Sequence, residues 1–193
     1  MTLLHISDTH GVHDRLGALP PADVLVHSGD FTHNGTEVEV LDFLNWLIAL
    51  PYAHKIFVVG NHDLCLWDAL GIEDLPKNLH FLQDRGMTIN GVTFFGLGYN
   101  HPEELIPDNV AVLITHEPPY EILDRSSGIH WGNLAIKHRV EAVKPRYHLF
   151  GHAHEANGIL HKDGITYSNA SLLDDKGNIK YAPRVLNIDD FGD

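Results

Sequence analysis

The chain has 193 residues, 44% of them hydrophobic and 20% charged, which suits one globular domain over residues 1–193 and excludes a disordered or fibrous chain. Its formal net charge of -13 argues against a long nucleic acid as partner, because binding one needs Lys and Arg against phosphates, and favours a small substrate. No apolar run reaches the roughly 20 residues of a membrane span, the first residues run straight into a strand without a leader, and the single cysteine suits a reducing compartment, so a soluble cytoplasmic protein is expected, its oligomeric state open.

Apolar runs of strand length stand at Leu3 to Ser7 and Asp23 to Ser28. A helix then starts at Thr36, whose hydroxyl caps it while Glu39 reaches back in a capping box; Val38, Leu41, Leu44, Leu47 and Ile48 fall on one face, and Pro51 stops it. Ile56 to Val59 is the next strand. Met87 to Asn90 and Val92 to Leu97 flank Asn90-Gly91, the strongest short signal for a two-residue hairpin. Val110 to Thr115 follows, and Ser126, Ser127 and two glycines mark Asp124 to Gly132 as a flexible loop. A second helix spans Leu134 to Val143, capped by Asn133 and ended by Pro145, with Ile136, Val140 and Val143 inward. The last strands are Tyr147 to Phe150, Gly158 to His161 and Ile165 to Ser168, the latter two joined by an Asp163-Gly164 turn, and Arg184 to Ile188. Strand and helix alternation followed by hairpins predicts a mixed α/β or α+β sandwich. Cys65 is expected to be a small core residue, and the glycosylation-like Asn169-Ala170-Ser171 to be accidental.

Five clusters carry the chemistry, each placing Asp, Asn or His just after an apolar strand: Asp8-Thr9-His10, Gly29-Asp30, Gly60-Asn61-His62-Asp63, Thr115-His116 and Gly151-His152-Ala153-His154. Side chains at neighbouring strand ends converge, and open α/β sheets bind ligands at their carboxyl ends. Oxygen and nitrogen donors without thiolate suit hard or borderline divalent ions. Two such ions, bridged by one carboxylate, clamp an in-line phosphoryl displacement and supply hydroxide as the nucleophile.

In that order the clusters resemble the signature of the calcineurin-like metallophosphoesterases, D-x-H, G-D, G-N-H-[D/E], H and G-H-x-H, over about Ile6 to Ser171. The resemblance implies a four-layer α/β/β/α sandwich of two mixed β-sheets flanked by helices, and a dinuclear metal-dependent phosphoesterase. It assigns Asp8, His10, Asp30 and His154 to one ion, and Asp30, Asn61, His116 and His152 to the other. His62 stays off the ions to protonate or stabilise the leaving oxygen, and Asp63 either orients that imidazole or braces its loop. The ions are two of Mn, Fe, Zn, Ni or Mg, with Mn favoured.

Within the superfamily the chain is most similar to the 239AB-type metallophosphoesterase-domain proteins, which are class III cyclic-nucleotide phosphodiesterase-like. The likeness rests on Ile6 to His10, Gly29-Asp30-Phe31-Thr32, Thr115 to Pro119, Phe150 to Glu155 and Asn169-Ala170-Ser171. It implies a phosphodiesterase on small or cyclic-nucleotide-type substrates; a phosphomonoesterase or nuclease of the same superfamily, or an inactive scaffold, is the alternative. After Gly29-Asp30 the chain reads Phe31-Thr32-His33-Asn34-Gly35, without the Asp and Arg of protein phosphatases, so His33 and Asn34 are candidate substrate contacts, as is His13. The other strand histidines, His5, His27, His54, His80, His138, His148 and His161, are expected to be structural. Trp46, Trp67 and Trp131 are expected to be packing residues, Trp131 being the one of the three whose loop could bring it to a substrate base, while His130 in the same loop could swing over the site.

Overall fold

The computed structural model describes residues 1–188, so the last five positions of the expected 1–193 domain lie outside the described residues. β1 (Thr2–Ile6), β2 (Val24–His27) and β3 (His54–Phe57) are buried at nearly every position and so are covered on both faces. They pair in parallel, joined by β4 (Leu79–Phe81) next to β3 and by antiparallel β13 (Arg184–Asn187) next to β1, in the order β13-β1-β2-β3-β4. A second sheet holds β5 (Arg85–Ile89), β6 (Val92–Gly96), β7 (Val112–Ile114), β10 (Tyr147–Phe150), β11 (Gly158–Lys162) and β12 (Ile165–Asn169), in the order β11-β12-β10-β7-β6-β5. Its four central strands are parallel and both edges antiparallel. A separate short antiparallel ribbon is made by β8 (Arg125–Ser126) and β9 (Ile129–His130).

Side-chain alternation along the strands builds three cores. Leu3, Val24, Val26 and Ile56 meet Phe94, Val112, Ile114 and Leu149 between the sheets. Leu4, Ile6, Leu25 and Phe57 pack against α1 (Glu37–Ala49), and Phe95, Leu113 and Phe150 against α2 (Leu134–Val143). Helix, sheet, sheet and helix are therefore stacked, as the expected α/β/β/α sandwich requires.

Both helix starts are as the sequence predicts: Thr36 and Glu39 form the capping box, and the Asn133 side chain accepts from the N–H groups of Ala135 and Ile136. The buried face of α1 is rotated from the predicted one and shares only Leu44 and Leu47 with it. Val40, Phe43, Leu44 and Leu47 point inward, whereas Val38, Leu41 and Ile48 are exposed. Phe43 decides the rotation, because it stacks on Phe31 with ring centres 4.1 Å apart and fills the space under β2. Truncating it to Ala would cost about 3–5 kcal/mol. The helix ends without glycine; instead the buried Lys55 of β3 donates to the carbonyls of Ile48 and Leu50, at 2.9 and 3.0 Å.

Both predicted hairpins form, with left-handed backbone at Asn90-Gly91 and Asp163-Gly164. The segment expected to be a flexible loop is instead the β8–β9 ribbon, turning at Ser127-Gly128, both at positive φ. The buried carboxylate of Asp124 anchors it, accepting from the N–H groups of Glu121 and Gly132 and pairing with His130 at 2.8 Å, which ties that histidine back. Cys65 is exposed rather than in the core, on a single turn of 3-10 helix after the Asn61 loop. Among the described residues no helix is long and apolar enough to cross a membrane.

Candidate metal centre

The parallel strands end at one rim, and the two sheets are stitched there by a bridge between Ser7 and Ser171. Five strand ends carry the predicted clusters: Asp8 and His10 follow β1, Asp30 follows β2, Asn61 follows β3, His116 follows β7, and His152 and His154 follow β10. The loops are bonded to one another, Asp8 N–H to the Gly29 carbonyl, His10 N–H to that of Asp30 and Gly151 N–H to that of His116. Asp8, His10, Asp30 and His152 all have positive φ, so backbone strain is concentrated on the residues that converge.

Two glycines make room. A Cβ at Gly60 would stand 2.2 Å from Asp30 Oδ1, and one at Gly151 would stand 2.1 Å from Asp8 Oδ2. No other residue lets the backbone pass so close to a carboxylate.

Among the described residues the side chains form three groups of potential ligand atoms, of which the first joins Asp8 with His10 and His154, the second Asp30 with His116 and His152, and the third His10 with Asp30 and His62. Asp30 Oδ2 links the first two, lying 3.7 Å from His10 Nε2 and 3.3 Å from His116 Nε2. Asn61 Oδ1 lies 2.9 Å from His116 Nε2 and 2.8 Å from His152 Nδ1, and those nitrogens are 3.2 Å apart. His10 Nε2 and His154 Nε2 are likewise 3.4 Å apart.

Backbone carbonyls set the tautomers: His116 Nδ1 faces Ser28 O at 2.9 Å, His10 Nδ1 faces Thr32 O at 3.2 Å and His154 Nδ1 faces Asp174 O at 3.3 Å. Each Nδ1–H is thereby occupied and each Nε2 lone pair turned inward. Lone pairs aimed at one another repel unless a cation or proton sits among them, so the donor set fits divalent ions on both sides of Asp30. Without ions, protons play that part. Burial alone would depress His116, but the Asp30 and Asp8 charges outweigh it and push it up to about 10. Burial likewise opposes the rise at His154, which its bond and attraction to Asp8 lift to about 8. His152, buried and beside His116, is lowered to about 4. Burial would raise Asp8, yet the imidazoles around it hold it well below the usual carboxylate range.

Of the two residues expected to be catalytic, His62 lies within ligand reach of His10 and Asp30. Its backbone N–H donates to Asp30 Oδ1 at 2.8 Å, its Nδ1 faces the His33 carbonyl at 2.8 Å, and its ring meets that of His10 edge on at 4.7 Å. Asp63 braces the loop: wholly buried, its carboxylate accepts from the N–H groups of Asp30, Gly60 and Thr32 and from the Thr32 hydroxyl at 2.8–2.9 Å. Burial, then the charge of Asp30, raise it to about 7, and the four donors oppose that rise.

The site opens into a cavity of about 690 Å³ whose lining includes His33, His62, Trp131, His152 and Lys176. His33 thus reaches the space where it was expected. Asn34 does not line it, because its amide and N–H bind Glu39 in the α1 cap. His13 also turns away, packed against Phe43 and Trp46 with its Nε2 3.3 Å from Asp42.

Sequence reasoning missed a ring of supporting hydroxyls. Ser171, inside the glycosylation-like triplet and fully buried, donates to Asp8 Oδ2 at 2.8 Å. Three buried imidazoles each hold a hydroxyl beside a ligand: His27 Nε2 to Thr9 at 3.0 Å, His148 Nε2 to Thr115 at 2.9 Å and His5 Nε2 to Ser28 at 2.9 Å. The signal was present in strands that carry histidine where every other residue is apolar.

Residues 1–156 match the family model described as calcineurin-like phosphoesterase. The chain is similar to a UPF0046 protein of Caenorhabditis elegans, 37% identical over 214 residues that span 95% of this chain and 73% of that protein. It is also similar to metallophosphoesterase domain-containing protein 1 of Homo sapiens, 34% identical over 222 residues, 92% of this chain and 67% of that one. Among solved structures, phosphopantetheinyl hydrolase from Mycobacterium tuberculosis shares the fold, with a TM-score of 0.65 at 15% identity over 97% of this chain and 96% of that one.

Proposed function

The chain belongs to the calcineurin-like phosphoesterase family, and from that premise we propose that it is a dinuclear phosphodiesterase acting on small phosphodiesters of the cyclic-nucleotide type. The single observation that carries the reading is Asp30, whose Oδ2 stands between a nitrogen of each ligand group. Asp8, His10, Asp30 and His154 would hold one ion, and Asp30, Asn61, His116 and His152 the other. When bound, the ions lower the pKa of a water and polarise the phosphoryl oxygens; manganese is the favoured metal.

The chain's own residues do the rest. Asp63 ties Asp30 and Thr32 of the loop after β2 to Gly60 of the loop after β3, which holds the backbone of the shared carboxylate in place. The His33 carbonyl orients the His62 ring, which stands beside His10 and faces the cavity, where it holds the proton that the leaving oxygen takes up. His33 extends that wall, its ring stacked over His62 at 6.1 Å.

The test compares manganese-loaded protein on bis-p-nitrophenyl phosphate and p-nitrophenyl phosphate, followed by a panel of cyclic nucleotides. Faster turnover of the diester supports the reading, and a strong monoester preference refutes it.

A further inference from the structure

The two sides of the cavity differ in chemistry. On one side His62 stands against His10, a ligand of the first group. On the other, Trp131 stands edge on to His152, a ligand of the second, with ring centres 5.9 Å apart. Trp131 is 50% exposed, and its indole is the one aromatic ring besides histidine among the described lining residues. The ring is held in place: its backbone N–H donates to the Asp124 carbonyl at 2.9 Å and its Nε1–H to the Ser126 carbonyl at 3.3 Å. The next residue must be glycine, since a Cβ at Gly132 would stand 2.6 Å from Tyr120 Cα. The ribbon beneath is fastened to the rim, because Ser127 N–H donates to Glu155 and the Ser126 and Ser127 hydroxyls both reach Asp175. A half-exposed indole locked in one orientation, in a cavity otherwise lined mainly by polar side chains, is a prepared surface for a flat apolar group.

We infer that Trp131 is the subsite for the retained ester group of a phosphodiester, and that this group is a planar aromatic ring. The inference rests on the diester reading above. A water oxygen bonds to phosphorus as the bond to the leaving oxygen breaks; the leaving oxygen takes the proton from His62, the attacking water gives its proton up to solvent, and solvent reprotonates the imidazole. The other ester bond does not react, so its substituent is free to be recognised. With the leaving oxygen at His62, the second ester oxygen has the far side of the cavity to occupy, where Trp131 stands. A monoester has no group to place there, so the same ring accounts for selection of diesters.

The experiment keeps the leaving group constant and changes the retained one. Manganese-loaded protein is assayed on bis-p-nitrophenyl phosphate and on methyl p-nitrophenyl phosphate, in wild type, Trp131→Ala, Trp131→Leu and Trp131→Phe. The aryl-over-methyl ratio of kcat/KM should fall about tenfold in Trp131→Ala and in Trp131→Leu, which keeps apolar bulk without a ring face. Trp131→Phe, which loses the Nε1–H bond but keeps a ring, should hold the ratio within about twofold of wild type. An unchanged ratio in Trp131→Ala and Trp131→Leu overturns the inference while leaving the diester reading intact. Turnover of neither diester sinks the diester reading instead, and binding of non-hydrolysable phenylphosphonate and methylphosphonate then decides: selective weakening of phenylphosphonate in Trp131→Leu supports the subsite, and equal weakening of both overturns it.

Discussion

Histidine does two opposite jobs in this molecule. At the rim, His10, His116, His152 and His154 crowd their lone pairs around two buried carboxylates. One layer down, inside the strands, His5, His27 and His148 are wholly buried. Burial is the main cause of their low pKa values, each about 3, so they stay neutral. Nδ1 of His27 and of His148 has no hydrogen-bond partner among the described residues, which is tolerable for a lone pair and costly for an N–H, so the proton sits on Nε2 and is donated to the Thr9 or Thr115 hydroxyl. Thr115 passes the bond on to the Glu117 carbonyl at 2.6 Å, stiffening the turn that carries His116. The difference teaches that this candidate centre is built from two kinds of imidazole: donors with converging lone pairs, and neutral clamps that hold the hydroxyls beside them.

The sharpest way to break that comparison is at the rim. Asp30→Ala removes the shared carboxylate, and with it several kcal/mol of transition-state stabilisation, so phosphoesterase activity should fall about a thousandfold or more, with bound metal per chain dropping in elemental analysis. Retained activity would show that the two ligand groups do not work as a pair.

Proton linkage separates the populations by sign. The interior histidines have folded pKa values below the unfolded value of about 6.5, so their contribution is complete above that pH and is lost as pH falls from about 6.5 toward 3. Each contributes a slope of about 1.4 kcal/mol per pH unit, at most about 4 for the three together. His154 and His116, raised to about 8 and about 10, contribute fully below pH 6.5 and lose that contribution as pH rises through those values. Urea unfolding of the metal-free protein should therefore show stability declining on both sides, with the alkaline loss removed by manganese. Stability flat between pH 6.5 and 4 would mean that the interior imidazoles are not held neutral.

Smaller effects test the geometry. Gly60→Ala and Gly151→Ala drive a Cβ into the Asp30 and Asp8 carboxylates, and metal affinity should drop about 10–100-fold, read by titration of the apo protein. Thr9→Val and Thr115→Val strand the His27 and His148 N–H groups at a cost of about 1–3 kcal/mol each. Thr9→Ser and Thr115→Ser should restore both stability and metal affinity. Loss of stability with unchanged metal affinity would reduce the clamps to packing.

Much of this was legible in the chain. Strand runs, both caps and the Asn90-Gly91 and Asp163-Gly164 turns depend on neighbours within a few residues, so local sequence specifies them. The five clusters were readable because each follows its own strand, and parallel strands bring their ends to one rim. β4 was missed because three residues carry no period, and the β8–β9 ribbon because its strength lies in Asp124, Glu155 and Asp175, which polar loop composition does not reveal.

The sequence by itself determined most of the elements, a sandwich of mixed α/β type, and the clusters of Asp, Asn and His at the strand ends, while the four-layer order and the ligand assignments came from the family resemblance those clusters carry. Tertiary structure alone decided the rotation of α1 about Phe43, the departure of His13 and Asn34 from the cavity, the brace made by Asp63, and the approach of Trp131 and Ser171 to the rim. Local choices are governed by backbone preferences and spacing along the chain, whereas these were settled by competition among distant side chains for the same few ångströms of buried space.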